Sequence, residues 1–198
     1  MTRRLVQLYI GLVLYGISLA LMVRAQLGLD PWDVLHEGLA NRLPLTFGQV
    51  VIVVGALVLL AWIPLRQRPG LGTISNVFVI GLAVDAALAV LPAPEPIAWR
   101  IVFLVAGVVL NSVATAAYIG ARLGPGPRDG LMTGLVARTG RSVRIVRTSI
   151  ELSVLAGGWL LGGTVGLGTV LYAISIGPLV HFLLPLLTVW KEVELVSD

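Results

Sequence analysis

The sequence predicts an all-α membrane protein with six transmembrane helices. It arranges them as two inverted three-helix repeats, each with a short amphipathic or re-entrant helix. Three observations predict this. First, 57% of the 198 residues are hydrophobic and 12% are charged, where a soluble domain carries about a quarter charged residues. So much apolar surface cannot be hidden in one small core, so the solvent of this chain is lipid. Second, LGLDPWDVLHEGL at 27–39 returns as LGPGPRDGLMTGL at 123–135, shifted by 96 residues. Laying 5–90 on 101–186 without a gap gives 27 identities in 86 positions. Repeats of this size decide architecture before any motif does. Third, the basic residues fall mostly on one side of the spans.

Residues 1–4 form a short basic head, and 5–23 are an apolar run long enough for one crossing. A signal peptide would carry a shorter apolar core and a small-residue cleavage site. This run has neither, and it has a repeat partner at 101–119. Gly28 then breaks the span. Asp30 suits a helix N-cap, Pro31 the first helical position, and Asp33 the first turn, where the helix dipole favours an anion. Trp32, Leu35, Leu39 and Leu43 share one face of the following helix, opposite Asp33, His36, Glu37 and Asn41. At about twelve residues, or roughly 18 Å, this helix is too short to cross. It lies along the interface or dips in as a re-entrant piece.

A second span is expected at 48–65, followed by a basic turn with Arg66 and Arg68. Thr73 can cap a third span that runs to about 91. The prolines at 92, 94 and 96 cannot be helix interior and mark a linker between copies, giving repeats of 1–94 and 95–198 within one membrane domain. The second copy offers spans at 101–119, about 143–161 and about 167–189. Its short helix lies at 127–139, and 191–198 is a polar tail.

Three spans per copy is an odd number, which turns the second copy upside down. Charge tests this independently. With the N-terminus inside, the cytoplasmic segments hold Arg3, Arg4, Arg66, Arg68, Arg122, Arg128, Arg138, Arg141, Arg144, Arg147 and Lys191. The outer segments hold Arg24, Arg42 and Arg100, the first two offset by Asp30, Asp33 and Glu37. That is the bias the positive-inside rule requires. Both termini are therefore expected in the cytoplasm. The formal net charge of +4 is read as topology and not as nucleic-acid binding.

The LGxxPxDxLxxGL element, followed by GLGT and present twice, includes GPRDGLM in the second copy. It resembles the YczE/YyaS/YitT group of bacterial membrane proteins over nearly the whole chain. The length fits the short YczE-like members better than YitT-like ones with an added soluble domain. The resemblance implies a multi-pass protein of the bacterial plasma (inner) membrane. It brings no agreed substrate and no catalytic residues.

The candidate site residues come in repeat pairs. Asp33 and Asp129 each follow a helix-opening proline, Pro31 and Pro127, by two residues, and Arg128 stands between the latter pair. A first-turn carboxylate is read either as a cap or as the lining of a central site. Inverted-repeat transporters build such sites from broken helices. Two N-termini would hold an anion; two carboxylates would hold a cation or a proton. Asp85 and His181 are mates deep in apolar runs, where ionisable groups face a partner or a cavity, and are coupling candidates. Glu151 follows Arg147 at salt-bridge spacing and is either a paired surface charge or a third coupling candidate. Arg138, Arg141, Arg144 and Arg147 recur every three residues, as a topology anchor for anionic lipid at the cytoplasmic face or as a vestibule for an anionic solute.

With no cysteine and two histidines, thiol chemistry is excluded and neither a metal site nor a cofactor is expected. An enzyme has little material here, and the chain is read as a non-enzyme. Two functions remain. One is a small-solute transporter or permease with its site at the repeat interface. The other is a non-transporting accessory or regulatory protein acting through a partner. Pseudo-symmetry favours the first, because inverted repeats give two equivalent gated states about one site. Small size favours the second, the alternative, unless the chain forms a homodimer.

Overall fold

A computed structural model describes residues 1–189. Trp190 and the polar tail with Lys191 lie outside the described residues. Within them the chain is all-helical: α1 (Thr2–Ala25), α2 (Pro31–Ala40), α3 (Phe47–Trp62), α4 (Leu71–Val90), α5 (Ile97–Gly120), α6 (Pro127–Thr139), α7 (Val143–Leu160) and α8 (Leu167–Leu187). Four of these, α1, α4, α5 and α8, are long and apolar enough to cross a membrane. α3 is apolar but has 16 residues, and α7 carries Arg144, Arg147 and Glu151.

Local chemistry sets the ends. Thr46 caps α3, its Oγ1 accepting from Gln49 N at 3.1 Å while Gln49 Oε1 accepts from Thr46 N at 3.0 Å. Two such orphan donors satisfied reciprocally make a capping box. Ser142, the repeat mate of Thr46, caps α7. Thr73 sits one turn further in than the sequence suggests. Gly70 is the N-cap of α4, and Thr73 Oγ1 accepts from Gly70 N at 3.1 Å and donates to Pro125 O at 2.7 Å. The prolines at 92–96 keep the α4–α5 connection out of helix, as expected.

The core is the crossing of α1 and α5. A Cβ on Gly11 would lie 3.2 Å from Ala114 O and 3.0 Å from Tyr118 N. One on Gly107 would lie 3.1 Å from Ser18 O and 2.6 Å from Met22 Cγ. Gly11 and Gly107 are repeat mates, as are Ser18 and Ala114, and Met22 and Tyr118. Each helix therefore seats the other on the same surface. The two run antiparallel: Arg4 Nε donates to Ala121 O and Arg100 Nε to Ala25 O, both at 2.8 Å.

Reciprocity extends to further pairs, but not to all: α3 packs on α4, whereas their mates α7 and α8 do not pack together in the same way. α4 packs on α1 as α8 packs on α5, and α7 on α2 as α3 on α6. Gly72 N donates to Leu123 O at 2.8 Å, and Gly168 N to Leu27 O at 2.7 Å. Positive backbone φ falls on mates too: Gln26 (50°) and Arg122 (51°), Gly28 (112°) and Gly124 (131°), Arg66 (54°) and Gly162 (98°). Contacts in which i meets j and j's mate meets i's mate are the signature of a two-fold relation.

The helix ends collect in two groups. At one end Arg4 meets Ala121, Gln7 meets Leu187, Gly72 meets Leu123 and Arg138 meets Pro64. At the other, Arg100 meets Ala25, Arg24 meets Leu88, Arg42 meets Leu161 and Gly168 meets Leu27. α1, α3, α4, α5, α7 and α8 each run from one group to the other, whereas α2 and α6 do not.

Candidate functional site

The site grows from the starts of the two short helices. In α2 the Asp30 carboxylate caps the helix, Oδ1 accepting from Trp32 N at 2.8 Å and Asp33 N at 2.9 Å. Pro31 and Pro127 hold the first helical positions. The polar face of α2 turns into the protein: Asp33 is fully buried and His36 nearly so. His36 Nδ1 donates to Asp33 Oδ1 at 2.9 Å. The other oxygen of Asp33 is buried with no hydrogen-bond partner. α6 opens on Gly126, which has no side-chain cap, and Asp129 Oδ2 accepts from the Tyr118 hydroxyl at 3.3 Å.

Arg128 joins the two helices. Its guanidinium is 3.5 Å from Asp30 Oδ2 and 3.5 Å from Asp33 Oδ1, and it lies over the Trp32 ring at 5.1 Å from the centroid. Trp32 and Arg128 occupy the same repeat position. A residue that touches its own mate lies beside the two-fold axis, so the axis passes between the starts of α2 and α6.

Beside this junction is a cavity of about 450 Å³, within the usual range for small-ligand sites. Tyr15, Trp32, Tyr118 and Tyr172 supply aromatic walls, and Asp30, Arg128, Asp129, Arg147 and Glu151 supply charge. The tyrosines are fixed from the core. Tyr15 and Tyr118 meet edge to face at 6.2 Å. Tyr172 OH donates to Asn111 Oδ1 at 3.0 Å, and Asn111 Nδ2 to Ser18 Oγ at 2.9 Å.

The sequence-selected residues divide. Pro31, Pro127, Arg128, Asp129, Glu151, Arg147 and His181 line the cavity, with Asp33 buried behind Arg128. Glu151 takes Arg147 Nε at 2.9 Å, the helical pair its spacing suggested. Asp85 is engaged elsewhere: its oxygens accept from Thr46 Oγ1 at 2.5 Å and Gly48 N at 2.8 Å, at the start of α3. Of the arginine series, Arg147 turns to the cavity. Arg138 donates to Pro64 O at 2.7 Å, and Arg141 and Arg144 are exposed. Among the described residues, no group of three or more His, Cys, Asp or Glu could hold a metal ion.

Sequence reading took Asp30 only as a cap and passed over Tyr118 and Tyr172. A signal was there: Tyr15 is the mate of Asn111, and Asn76 the mate of Tyr172. Polar groups at equivalent positions of apolar spans mark surfaces that face one another.

Residues 2–185 match a family described as a family of unknown function, DUF6198. The chain belongs to this family. It is 42% identical over 177 residues to an uncharacterized protein of Haemophilus influenzae, covering 89% of this chain and 81% of that one. It is 37% identical over 180 residues to the uncharacterized membrane protein YczE of Bacillus subtilis, covering 89% and 83%. A third relative, YyaS of Bacillus subtilis, is 25% identical over 181 residues, covering 89% and 90%. No solved structure matches the chain. The YczE-like resemblance of the repeat motifs is thus shown. A relative described as a membrane protein, together with four apolar helices of spanning length, makes this DUF6198 protein a multi-pass membrane protein in contact with the bilayer.

Proposed function

We propose that the protein is a small-solute transporter or permease of the bacterial plasma membrane, working by alternating access to the cavity between α2 and α6. The observation that carries this is the position of the cavity. It lies where repeat mates Trp32 and Arg128 touch, beside the axis that relates the halves. Two related halves around one site have two equivalent arrangements, each opening the site to one end.

On this reading six helices cross and the repeats are inverted. The grouping of helix ends supports six crossings, α3 and α7 included. α2 and α6 are re-entrant, consistent with the buried polar face of α2. Non-helical backbone at membrane depth is tolerated where it is buried in protein or lines a cavity, as Gly28 and Gly124 are placed to allow. Both termini are cytoplasmic. Arg138, Arg141 and Arg144 then stand at the cytoplasmic end, where anionic headgroups gather. On this reading the protein moves a solute without chemical change and is not an enzyme.

The test requires no knowledge of the solute. The chain has no cysteine, so Thr115→Cys places one thiol on the cavity wall. Right-side-out and inside-out vesicles are treated with a small membrane-impermeant thiol reagent. Alternating access requires reaction from both sides. Reaction from one side only, or from neither, removes it and leaves the accessory role.

A further inference from the structure

The charge in and around the cavity does not balance, and the imbalance has a sign. Four carboxylates gather there, Asp30, Asp33, Asp129 and Glu151, against two guanidiniums, Arg128 and Arg147. The two helix N-termini add a partial positive charge of about 0.5 each. With all four carboxylates ionised and both imidazoles neutral, the total is roughly −1. The pairing pattern places the excess. Arg147 is matched by Glu151 at 2.9 Å, and Arg128 is shared by Asp30 and Asp33 at 3.5 Å. Asp129 has no cation within 4 Å among the described residues, and its oxygen takes the Tyr118 hydroxyl at 3.3 Å. The Asp129 carboxylate can accept a further hydrogen bond, so an N–H donor suits it; the unpartnered Asp33 Oδ2 lies behind Arg128, outside the cavity lining.

The walls narrow the chemistry further. Tyr118 touches Asp129, and Tyr15 and Tyr172 line the same cavity; aromatic faces attract cations. The Trp32 face is already occupied by Arg128. A cavity of about 450 Å³ takes a molecule larger than a bare metal ion.

We infer that the cavity binds a small organic monocation bearing N–H donors, an ammonium or guanidinium with an apolar body, seated on Asp129 among the tyrosines. This rests on the transporter reading for its purpose but not for its chemistry. An anion, the alternative that two helix N-termini would suggest, meets an excess of carboxylate. Arg128 is not free to offset that excess, because Asp30 and Asp33 hold it.

Purified protein is titrated in a calorimeter with phenethylammonium and, separately, with phenylacetate, which share an aromatic body and differ in charge. Phenethylammonium is expected to bind and phenylacetate not. Asp129→Asn is expected to weaken the ammonium at least tenfold while Asp85→Asn leaves it unchanged. Preference for the carboxylate, equal binding of both, or no binding of the ammonium overturns the inference. The wild-type comparison decides even if Asp129→Asn fails to fold. Thiol access from both sides without ammonium binding would leave alternating access standing and remove the cation.

Discussion

Arg128 lies over the ring of Trp32 at 5.1 Å, and the two residues hold the same position in the two repeats. The halves differ at this point, and the difference makes a complementary pair. The same contact holds the Asp30 and Asp33 carboxylates in place. Arg128→Gln should therefore be costly. It leaves two buried carboxylates without their cation, which costs about 3 kcal/mol for a broken buried pair. For a protein of this size that is a fall in Tm of roughly 10 °C. Adding Asp33→Asn to the same chain should recover part of the loss, because it removes one of the stranded charges. Thermal unfolding in detergent of the two single variants and the double variant checks this. Additive losses would show that the pair is not coupled.

Asp85 gives the opposite expectation. Its carboxylate accepts from Thr46 Oγ1 and Gly48 N, which makes it a cap for α3 supplied by α4. Asp85→Ala should lower stability by about 1 kcal/mol, the usual value of a lost cap. Asp85→Asn should lose less, since the amide oxygen still accepts from Gly48 N. Thiol reactivity of Thr115→Cys from either side should be unchanged in both backgrounds. A changed reactivity would return Asp85 to the coupling mechanism.

These two cases show what was legible in the sequence. The helices were legible because apolar runs, proline breaks and capping residues act over a few positions. Asp30, Pro31 and the box at Thr46 and Gln49 are all local. The repeat was legible because the 96-residue offset preserves GLGT and the proline–aspartate spacing. The partner of Asp85 was not, because Thr46 lies 39 residues away and no periodicity connects them. Nor was the reach of Arg128 to Asp30, 98 residues away. Such contacts depend on how the two halves dock. The choice between an interfacial and a re-entrant short helix stayed open for a similar reason. A polar face looks alike in sequence whether it meets water or, as at Asp33 and His36, the interior of the protein.

Docking of α2 on α7 leaves no room at Gly158. A Cβ there would lie 2.4 Å from Leu35 N and 2.5 Å from the Val34 carbonyl carbon. Backbone cannot step aside as a side chain can, so Gly158→Ala should force α2 away from α7. Overpacking of this sort costs 1–3 kcal/mol or more, and here it also displaces the cap at Asp30 that faces Arg128. Gly157→Ala is the control, since its nearest neighbour is Leu35 Cδ1 at 3.9 Å. Melting temperatures should fall for the first and hold for the second. Equal behaviour would mean that the α2–α7 seat is not tight.

Inversion of the halves is tested most directly at repeat mates on exposed surface. Thr46 and Ser142 are poor choices because both cap helices. Leu43 and Thr139 are mates, both exposed, and neither is the N-cap of a helix. In a chain with no other thiol, Leu43→Cys and Thr139→Cys each report one side of the membrane. With six crossings and a cytoplasmic N-terminus, Leu43 lies outside and Thr139 inside. An impermeant reagent on intact cells should then label the first within minutes and the second only after the cells are opened. Six crossings put the two on opposite sides, and the positive-inside bias sets which side is which, since Arg138, Arg141 and Arg144 flank Thr139. Labelling of both from outside would make the copies parallel. A two-fold axis lying in the membrane plane would then be impossible, and alternating access between related halves would lose the geometry it requires.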